Sequence, residues 1–65
     1  MPKNIISTLR RNKKLNQAEL AKKCGITQQH IQLIEAGKRL PSIKVAAKLA
    51  EALGVTVDEL IGKAG

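Results

Sequence analysis

The sequence predicts an all-α fold, a compact domain of five short helices. Aliphatic residues recur at three- and four-residue steps, which is the spacing of one helix face. Residues that favour helix N-caps precede these runs, and glycine or proline follows them. Residues 55–57 are weakly β-prone, but the alternating pattern of a longer strand is absent from the sequence. Helices joined by short connections therefore account for the whole pattern.

The first two helices are marked by apolar spacing and by one strong cap. The first is predicted over about residues 4–13, with its apolar face at Ile5, Ile6 and Leu9. Asn16 is a favoured N-cap, and Glu19 three residues later completes a capping-box pattern. The second helix that begins there has its apolar face at Leu20, Ala21 and Cys24. Gly25 suits the left-handed residue that ends a helix.

The remaining three helices follow in quick succession. Thr27 is the N-cap of the third helix, which Gly37 ends. Pro41 blocks continuation and Ser42 caps the fourth helix, whose inner face is predicted at Val45, Ala46, Leu49, Ala50 and Leu53. Gly54 stops that helix. Thr56 then caps a last short helix that contains Leu60 and Ile61.

Length and composition limit the possible functions. The 65 residues have room for one domain, residues 1–65, with a frayed tail predicted at 62–65. Twelve basic residues against five acidic ones give a net charge of +7, which indicates a polyanionic partner. The alternative is that the lysines only keep a small domain soluble. The first 15 residues hold five basic residues and no acid, whereas residues 41–65 are neutral. Because Phe, Trp and Tyr are absent, a protein that stacks unpaired bases on aromatic rings is disfavoured.

Several other classes find little support in the sequence. One cysteine makes no internal disulfide framework, and no run approaches the ~20 apolar residues of a membrane span, so a cytoplasmic protein without a membrane partner is predicted. Cys24 and His30 are the only soft metal ligands, whereas a structural zinc site needs about four. No acid or nucleophile is arranged with His30. We therefore expect no enzyme activity, no metal, no cofactor and no small-molecule ligand.

The second and third helices, about residues 16–36, are predicted to form a helix-turn-helix. Two short helices joined by a tight turn that contains glycine are typical of this motif. Ala21 is small where the helices should cross, and Gly25 lies at the turn. Ile31 and Ile34 are expected to anchor the third helix on the core. Five residues are then left to face outward: Thr27, Gln28, Gln29, Gln32 and Leu33.

The outward glutamines suggest contact with DNA bases. A glutamine amide pairs with adenine N6 and N7 in the major groove, which discriminates between bases by roughly 1–3 kcal/mol. Leu33 lies four residues after Gln29 and suits contact with a thymine methyl group. Alternatively, Gln28 and Gln29 are ordinary polar surface residues and Leu33 is an isolated exposed aliphatic residue. The capped helices, the glycine turn and the basic flanks together favour duplex DNA.

The central motif resembles the Cro/C1-type (XRE) helix-turn-helix family, whose DNA-binding domain has the lambda-repressor-like five-helix fold. The resemblance is carried by LNQAELA at residues 15–21, by TQQ at residues 27–29 and by QQHIQLIEAG at residues 28–37. Phage repressors and Cro proteins of the family are the most similar there. The resemblance to the family extends from about residue 6 to residue 61.

The resemblance implies which residues meet DNA. Base edges would be contacted by Gln28, Gln29, Leu33 and Thr27. Phosphates would be bound by Asn16 and Gln17 and by the loop with Lys38 and Arg39. Arg11 and His30 are further candidate phosphate contacts that the resemblance itself does not supply. His30 stands where the phage relatives have a small hydroxyl residue, and two roles stay open for it, a donor to phosphate and a solvated residue at the rim.

The resemblance also implies one structural pair and one dimer surface. Arg10 and Glu35 match a largely buried salt bridge that links the first helix to the end of the third. A homodimer would form through the loop and short helix near the C-terminus, at Val55, Val57, Asp58 and Leu60. A domain this small has little surface to spare, which favours a dimer that forms only on DNA.

The predicted function is a sequence-specific regulator of transcription, a repressor encoded by a bacterium or a phage. It would bind a near-palindromic operator in double-stranded DNA, with half-sites centred ~34 Å apart and the third helix in the major groove. The alternative is an antitoxin or another protein-interaction module built on the same fold.

Overall fold

Five helices make up the part of the protein that the structure, a computed structural model, describes, namely residues 5–60. They are α1 (Ile5–Asn12), α2 (Gln17–Cys24), α3 (Gln28–Glu35), α4 (Ile43–Leu53) and α5 (Val57–Leu60). The predicted all-α fold with five helices is therefore confirmed. The predicted helix start at Asn4, the helical Ile61 and the predicted tail at 62–65 lie outside the described residues.

Both ends of α2 follow the local sequence signals. The Asn16 side-chain oxygen accepts a hydrogen bond from the Glu19 N–H at 2.7 Å, and the Glu19 carboxylate accepts one from the Asn16 N–H at 2.8 Å. This confirms the capping box. At the other end, Gly25 takes a left-handed conformation (φ 71°), which glycine adopts without steric cost.

Local capping fixes the two ends of α3, and the connection to α2 is short. The Thr27 hydroxyl oxygen accepts a hydrogen bond from the His30 N–H at 3.0 Å and caps the helix as predicted. At the other end, α3 stops at Glu35, and Gly37 takes a left-handed conformation (φ 75°) just beyond it. Only Gly25, Ile26 and Thr27 separate α3 from α2.

The C-terminal helices begin at hydroxyl residues. The Ser42 oxygen accepts a hydrogen bond from the Val45 N–H at 3.2 Å, and Gly54 (φ 73°) ends α4 as predicted. Thr56 and Glu59 form a reciprocal cap for α5, with the Thr56 N–H donating to the Glu59 carboxylate at 2.8 Å. The Thr56 cap is as predicted, and Glu59 is a second capping residue that the prediction did not include.

The turn between α1 and α2 lacks the glycine that ends α2 and α4. Lys14 takes the left-handed conformation there, with φ 59°, and is the only described residue other than glycine with a positive φ. The Leu15 N–H donates to the Arg10 carbonyl at 3.1 Å and the Lys14 N–H donates to the Arg11 carbonyl at 2.9 Å. These two bonds are those of a Schellman turn, so a lysine occupies a position that glycine favours.

One aliphatic core joins the helices. α2 packs against both α3 and α4, while α1 packs on α3 and α5 packs on α4. The buried residues are Ile6, Leu20, Ala21, Cys24, Ile31, Ile34, Ala46, Leu49, Ala50, Leu53 and Leu60. Val45, which was predicted on the inner face of α4, is half-buried and packs at the edge of this core.

Candidate nucleic-acid interface

The outward face of α3 is the centre of the candidate site. Ile31 and Ile34 are 0% and 1% exposed and hold the helix onto the core. At about 100° per residue, Gln29 lies nearly opposite this buried pair. Thr27, Gln28 and Gln29 are exposed, whereas Leu33 is half-buried, so the leucine predicted to face outward presents only part of its side chain.

Gln32 belongs to the same face. It is exposed, and helical spacing puts it about 60° from Gln29, on the side opposite Leu33. Gln32 is predicted to face outward but is not among the predicted DNA contacts. Its position one turn after Gln28 is the signal that identifies it as a further candidate.

The N-terminus of α2 offers hydrogen-bond donors beside α3. The first amides of a helix have no partner within it, so the Gln17 and Ala18 N–H groups at the start of α2 are available to an anion. The Asn16 side-chain oxygen is engaged in the capping box, which leaves its NH₂ group as a donor. This end of α2 therefore suits a phosphate.

A polar network fixes α1 and α2 to the end of α3. The Arg10 guanidinium donates to Glu35 through Nε at 2.7 Å and through Nη2 at 3.3 Å, and its Nη1 donates to the Leu15 carbonyl at 2.8 Å. The Arg10 and Glu35 side chains are 12% and 8% exposed. These are the two residues that the family resemblance paired.

Gln17 is also part of this network, which the sequence analysis missed. Its Nε2 donates to the Glu35 carboxylate at 3.0 Å. The side chain predicted to bind phosphate is thus directed toward Glu35, so any phosphate contact made by Gln17 falls first to its main-chain N–H. The bond joins residues 18 positions apart, and no local pattern signals it.

Exposed basic side chains lie on α1 and in the loop that follows α3. Arg11, Lys38 and Arg39 are exposed and make no ion pair within residues 5–60. The Lys38 and Arg39 N–H groups donate to the Leu33 carbonyl at 2.9 and 3.2 Å, which fixes the loop to the end of α3. Because no described carboxylate pairs with these three side chains, they are available to an external anion.

The remaining polar candidates contribute less. His30 is half-buried on α3, and its N–H is used in the Thr27 cap.

Burial raises the pKa of the Cys24 thiol, opposed by the smaller effect of Lys48, so at neutral pH this residue is an uncharged core side chain. Within residues 5–60, no group of three potential ligands is placed to hold a metal, and no helix is long and apolar enough to cross a membrane.

The four residues of the predicted dimer surface differ in exposure. Val57 is 39% exposed, Asp58 is exposed and Val55 is half-buried, so all three present surface near α5. Leu60 is 3% exposed and packs in the core of its own chain. Because its side chain is already buried against α4 and its neighbours, Leu60 presents little surface to a second copy, and the dimer interface stays a prediction.

The fold and the site together define a helix-turn-helix protein. A model of the helix-turn-helix family (HTH_3) matches residues 6–60. The chain belongs to that family, which confirms the Cro/C1-type resemblance.

Individual relatives agree with this assignment. The chain is 41% identical over 58 residues to an uncharacterized HTH-type transcriptional regulator of Methanocaldococcus jannaschii, covering 89% of this chain and 88% of that protein. It is 31% identical to the immunity repressor protein of Bacillus phage phi105, covering 89% of this chain and 40% of that protein.

A solved structure is also similar. It is titled a SinR protein/SinI protein complex, and it matches with a TM-score of 0.87 and 29% identity, covering 94% of this chain and 60% of that one. The chain thus spans less than two thirds of this solved chain and of the phage repressor.

Proposed function

We propose that this protein is a sequence-specific regulator of transcription that binds double-stranded DNA and acts as a repressor. One observation carries the proposal, the row of exposed glutamines on α3 opposite its buried face. The family assignment and the relatives named as transcriptional regulators and as an immunity repressor support it. Neither a catalytic step nor a cofactor enters the proposed mechanism.

In the proposed mechanism α3 enters the major groove with its N-terminal end toward the bases. Gln28 and Gln29 contact base edges, where each amide pairs with an adenine through one donor and one acceptor. Leu33 contacts a thymine methyl group with the part of its side chain that is exposed, and Gln32 joins the same surface. Thr27 keeps its hydroxyl hydrogen for a base or a phosphate, since its oxygen accepts the capping bond.

Phosphates flank this helix on both sides. One is bound at the start of α2 by the main-chain amide of Gln17 and the side chain of Asn16, helped by the positive end of the helix dipole. Exposed basic side chains come from Arg11 on α1 and from Lys38 and Arg39 after α3, and His30 is half-buried on α3 itself. Because phosphate contacts carry no base information, these residues set the position of α3 in the groove.

The protein binds as a homodimer in this proposal. Val55, Val57 and Asp58 meet their counterparts in the second copy, and the two α3 helices then read half-sites ~34 Å apart. The exposed area that these residues offer is small, which favours a dimer that forms only on DNA.

Selection of binding sites from a random pool of duplexes tests the proposal. We expect enrichment of a near-palindromic site, and Gln28→Ala should weaken binding to it by about 1–3 kcal/mol and relax the preference at one base pair. Asn12→Ala is the control, since it removes an exposed amide at the end of α1 to which no DNA contact is assigned. Equal weakening on all duplexes would show that Gln28 reads no base, and a pool without enrichment would overturn the proposed function.

A protein-interaction module is the second candidate function. The structurally similar chain comes from a complex between two proteins. The salt dependence of DNA binding separates the two functions, because each neutralised phosphate adds about 0.9 to the slope of log affinity against log salt. A steep slope supports a DNA-binding regulator, whereas weak binding with a flat response favours the protein partner.

A further inference from the structure

Two large aliphatic side chains are exposed where the loop after α3 leads into α4. Leu40 is 88% exposed and Ile43 is 90% exposed. The next most exposed large hydrophobic residues among the described ones, Ile5 and Val57, are each 39% exposed. Leu40 and Ile43 are three positions apart, so their Cα atoms lie within about 11 Å of each other. We call these two side chains the apolar patch.

The side chains of this patch take no part in the buried core. The N-terminus of α4 is capped by Ser42, and the inner face of α4 begins at Ala46. Single exposed aliphatic residues are common on protein surfaces, but two neighbouring ones that are almost fully exposed suggest an external contact.

The charges around the patch indicate what kind of partner covers it. Residues 36–50 contain four basic residues and no acidic one. Lys38, Arg39 and Lys44 are exposed and have no ion-pair partner within the described chain. A second copy would bring the same charges face to face, which is unfavourable. A polyanion with apolar walls fits the loop, and the deoxyribose edges of duplex DNA have that character.

The loop also lies where the same duplex would pass. Its first residues are fixed to the end of α3 by the bonds from the Lys38 and Arg39 N–H groups to the Leu33 carbonyl. When α3 occupies the major groove, a segment attached to its C-terminal end meets the adjoining sugar-phosphate backbone.

We propose that Leu40 and Ile43 pack against deoxyribose groups of the DNA that α3 reads, while Lys38 and Arg39 hold the neighbouring phosphates. This inference rests on the proposed function and extends it. It adds a sequence-independent contact made by apolar burial, which differs from the glutamine contacts in specificity and from the lysine contacts in salt dependence.

The double variant Leu40→Ser/Ile43→Ser tests this contact on the duplex selected from the random pool. We expect affinity to fall about 10- to 100-fold, which corresponds to partial burial of two aliphatic side chains. The salt slope and the base preference should stay those of the unaltered protein, because no charge and no base contact is lost. Leu40→Met/Ile43→Met is the matched control and should keep most of the affinity, whereas Lys38→Ala should lower the salt slope by about 0.9.

Other outcomes would overturn the inference. Unchanged affinity in the serine variant would show that the patch does not meet DNA. Sedimentation that finds a dimer of the free unaltered protein and a monomer of the variant would assign the patch to a second copy. Binding to phosphatidylserine vesicles that the serine variant loses, with DNA affinity unchanged, would assign it to a membrane surface. If the unaltered protein bound no duplex, the proposed function itself would fail, which differs from a loss confined to the variant.

Discussion

The N-terminal helices α1–α3 and the C-terminal helices α4–α5 are held in place by different interactions. Arg10 in α1 is bonded to Glu35 at the end of α3, and Gln17 adds a third bond to the same carboxylate. Within the described part of α4 and α5 there is no ion pair, and α4 buries four of its eleven residues, against two of eight in α3.

The difference follows from what α3 leaves uncovered. A helix whose outward face is kept for a ligand has fewer apolar side chains with which to hold its orientation. The bonds at Glu35 compensate for this, because they tie the C-terminal end of α3 to both α1 and α2. The network therefore links the start of α2, where a phosphate would bind, to the helix that would read bases.

The largest effect should come from cutting into the apolar packing of α4. Leu49 is fully buried, so Leu49→Ala should lower the free energy of unfolding by about 2–5 kcal/mol. Ile43→Ala removes a similar aliphatic side chain from the same helix, but at a position that is 90% exposed, and should change stability by less than about 0.5 kcal/mol. Urea unfolding measures both. Similar losses in the two variants would contradict the assignment of Leu49 to the core.

Breaking the polar network tests the other side of the comparison. Arg10→Leu should cost about 2–4 kcal/mol, since it leaves Glu35 without its guanidinium partner in a largely buried position. The loss should fall at the low end for such a pair, because Gln17 still donates to Glu35.

A double variant separates the charge from the packing. Arg10→Leu/Glu35→Leu removes both charges and should recover part of the stability, as measured by urea unfolding in a double-mutant cycle. A loss of only a few tenths of a kcal/mol for Arg10→Leu alone would show that α3 is held by its two buried isoleucines and not by the network.

Local signals in the sequence predicted most of the fold. Asn16, Ser42 and Thr56 are short polar residues before apolar runs, and each caps a helix because capping involves only neighbouring residues. Gly25 and Gly54 end helices for the same local reason. The identity of the base-reading residues comes from the family resemblance together with helix spacing, and it stays a prediction.

The features that the sequence did not reveal depend on distant contacts or on the absence of a signal. The bond from Gln17 to Glu35 depends on how α2 packs against α3. The pattern around Leu60 is equally compatible with a core residue and with an interface residue, and only tertiary packing decides between them. No local pattern predicts the left-handed conformation of Lys14, since lysine is not a residue that favours this conformation.

The turn that carries Lys14 allows the N-terminal helices to be stabilised without touching the network. Lys14→Gly should raise the free energy of unfolding by about 0.5–1 kcal/mol, because glycine adopts φ 59° without the steric cost that a side chain brings. The converse variant Gly25→Ala, at φ 71°, should be destabilised by a similar amount. Thermal unfolding measures both changes. A destabilised Lys14→Gly would show that the lysine side chain contributes more than its backbone strain costs.

The smallest effect concerns the cap of α5 and depends on pH. Hydrogen bonds from the Thr56 N–H and hydroxyl lower the pKa of Glu59 in the folded protein. A lowered pKa means that the carboxylate stabilises the fold above the unfolded pKa of about 4.3, and that this contribution is lost as the pH falls through the lower folded value.

Glu59→Gln keeps a capping oxygen without the charge. Its melting temperature should therefore lie slightly below that of the unaltered protein at pH 7, and the gap should close in acid, once the pH has fallen below the lowered folded pKa. Glu51→Gln, on the exposed side of α4, controls for net charge, and a gap of the same size at both pH values would show that the cap does not depend on ionised Glu59.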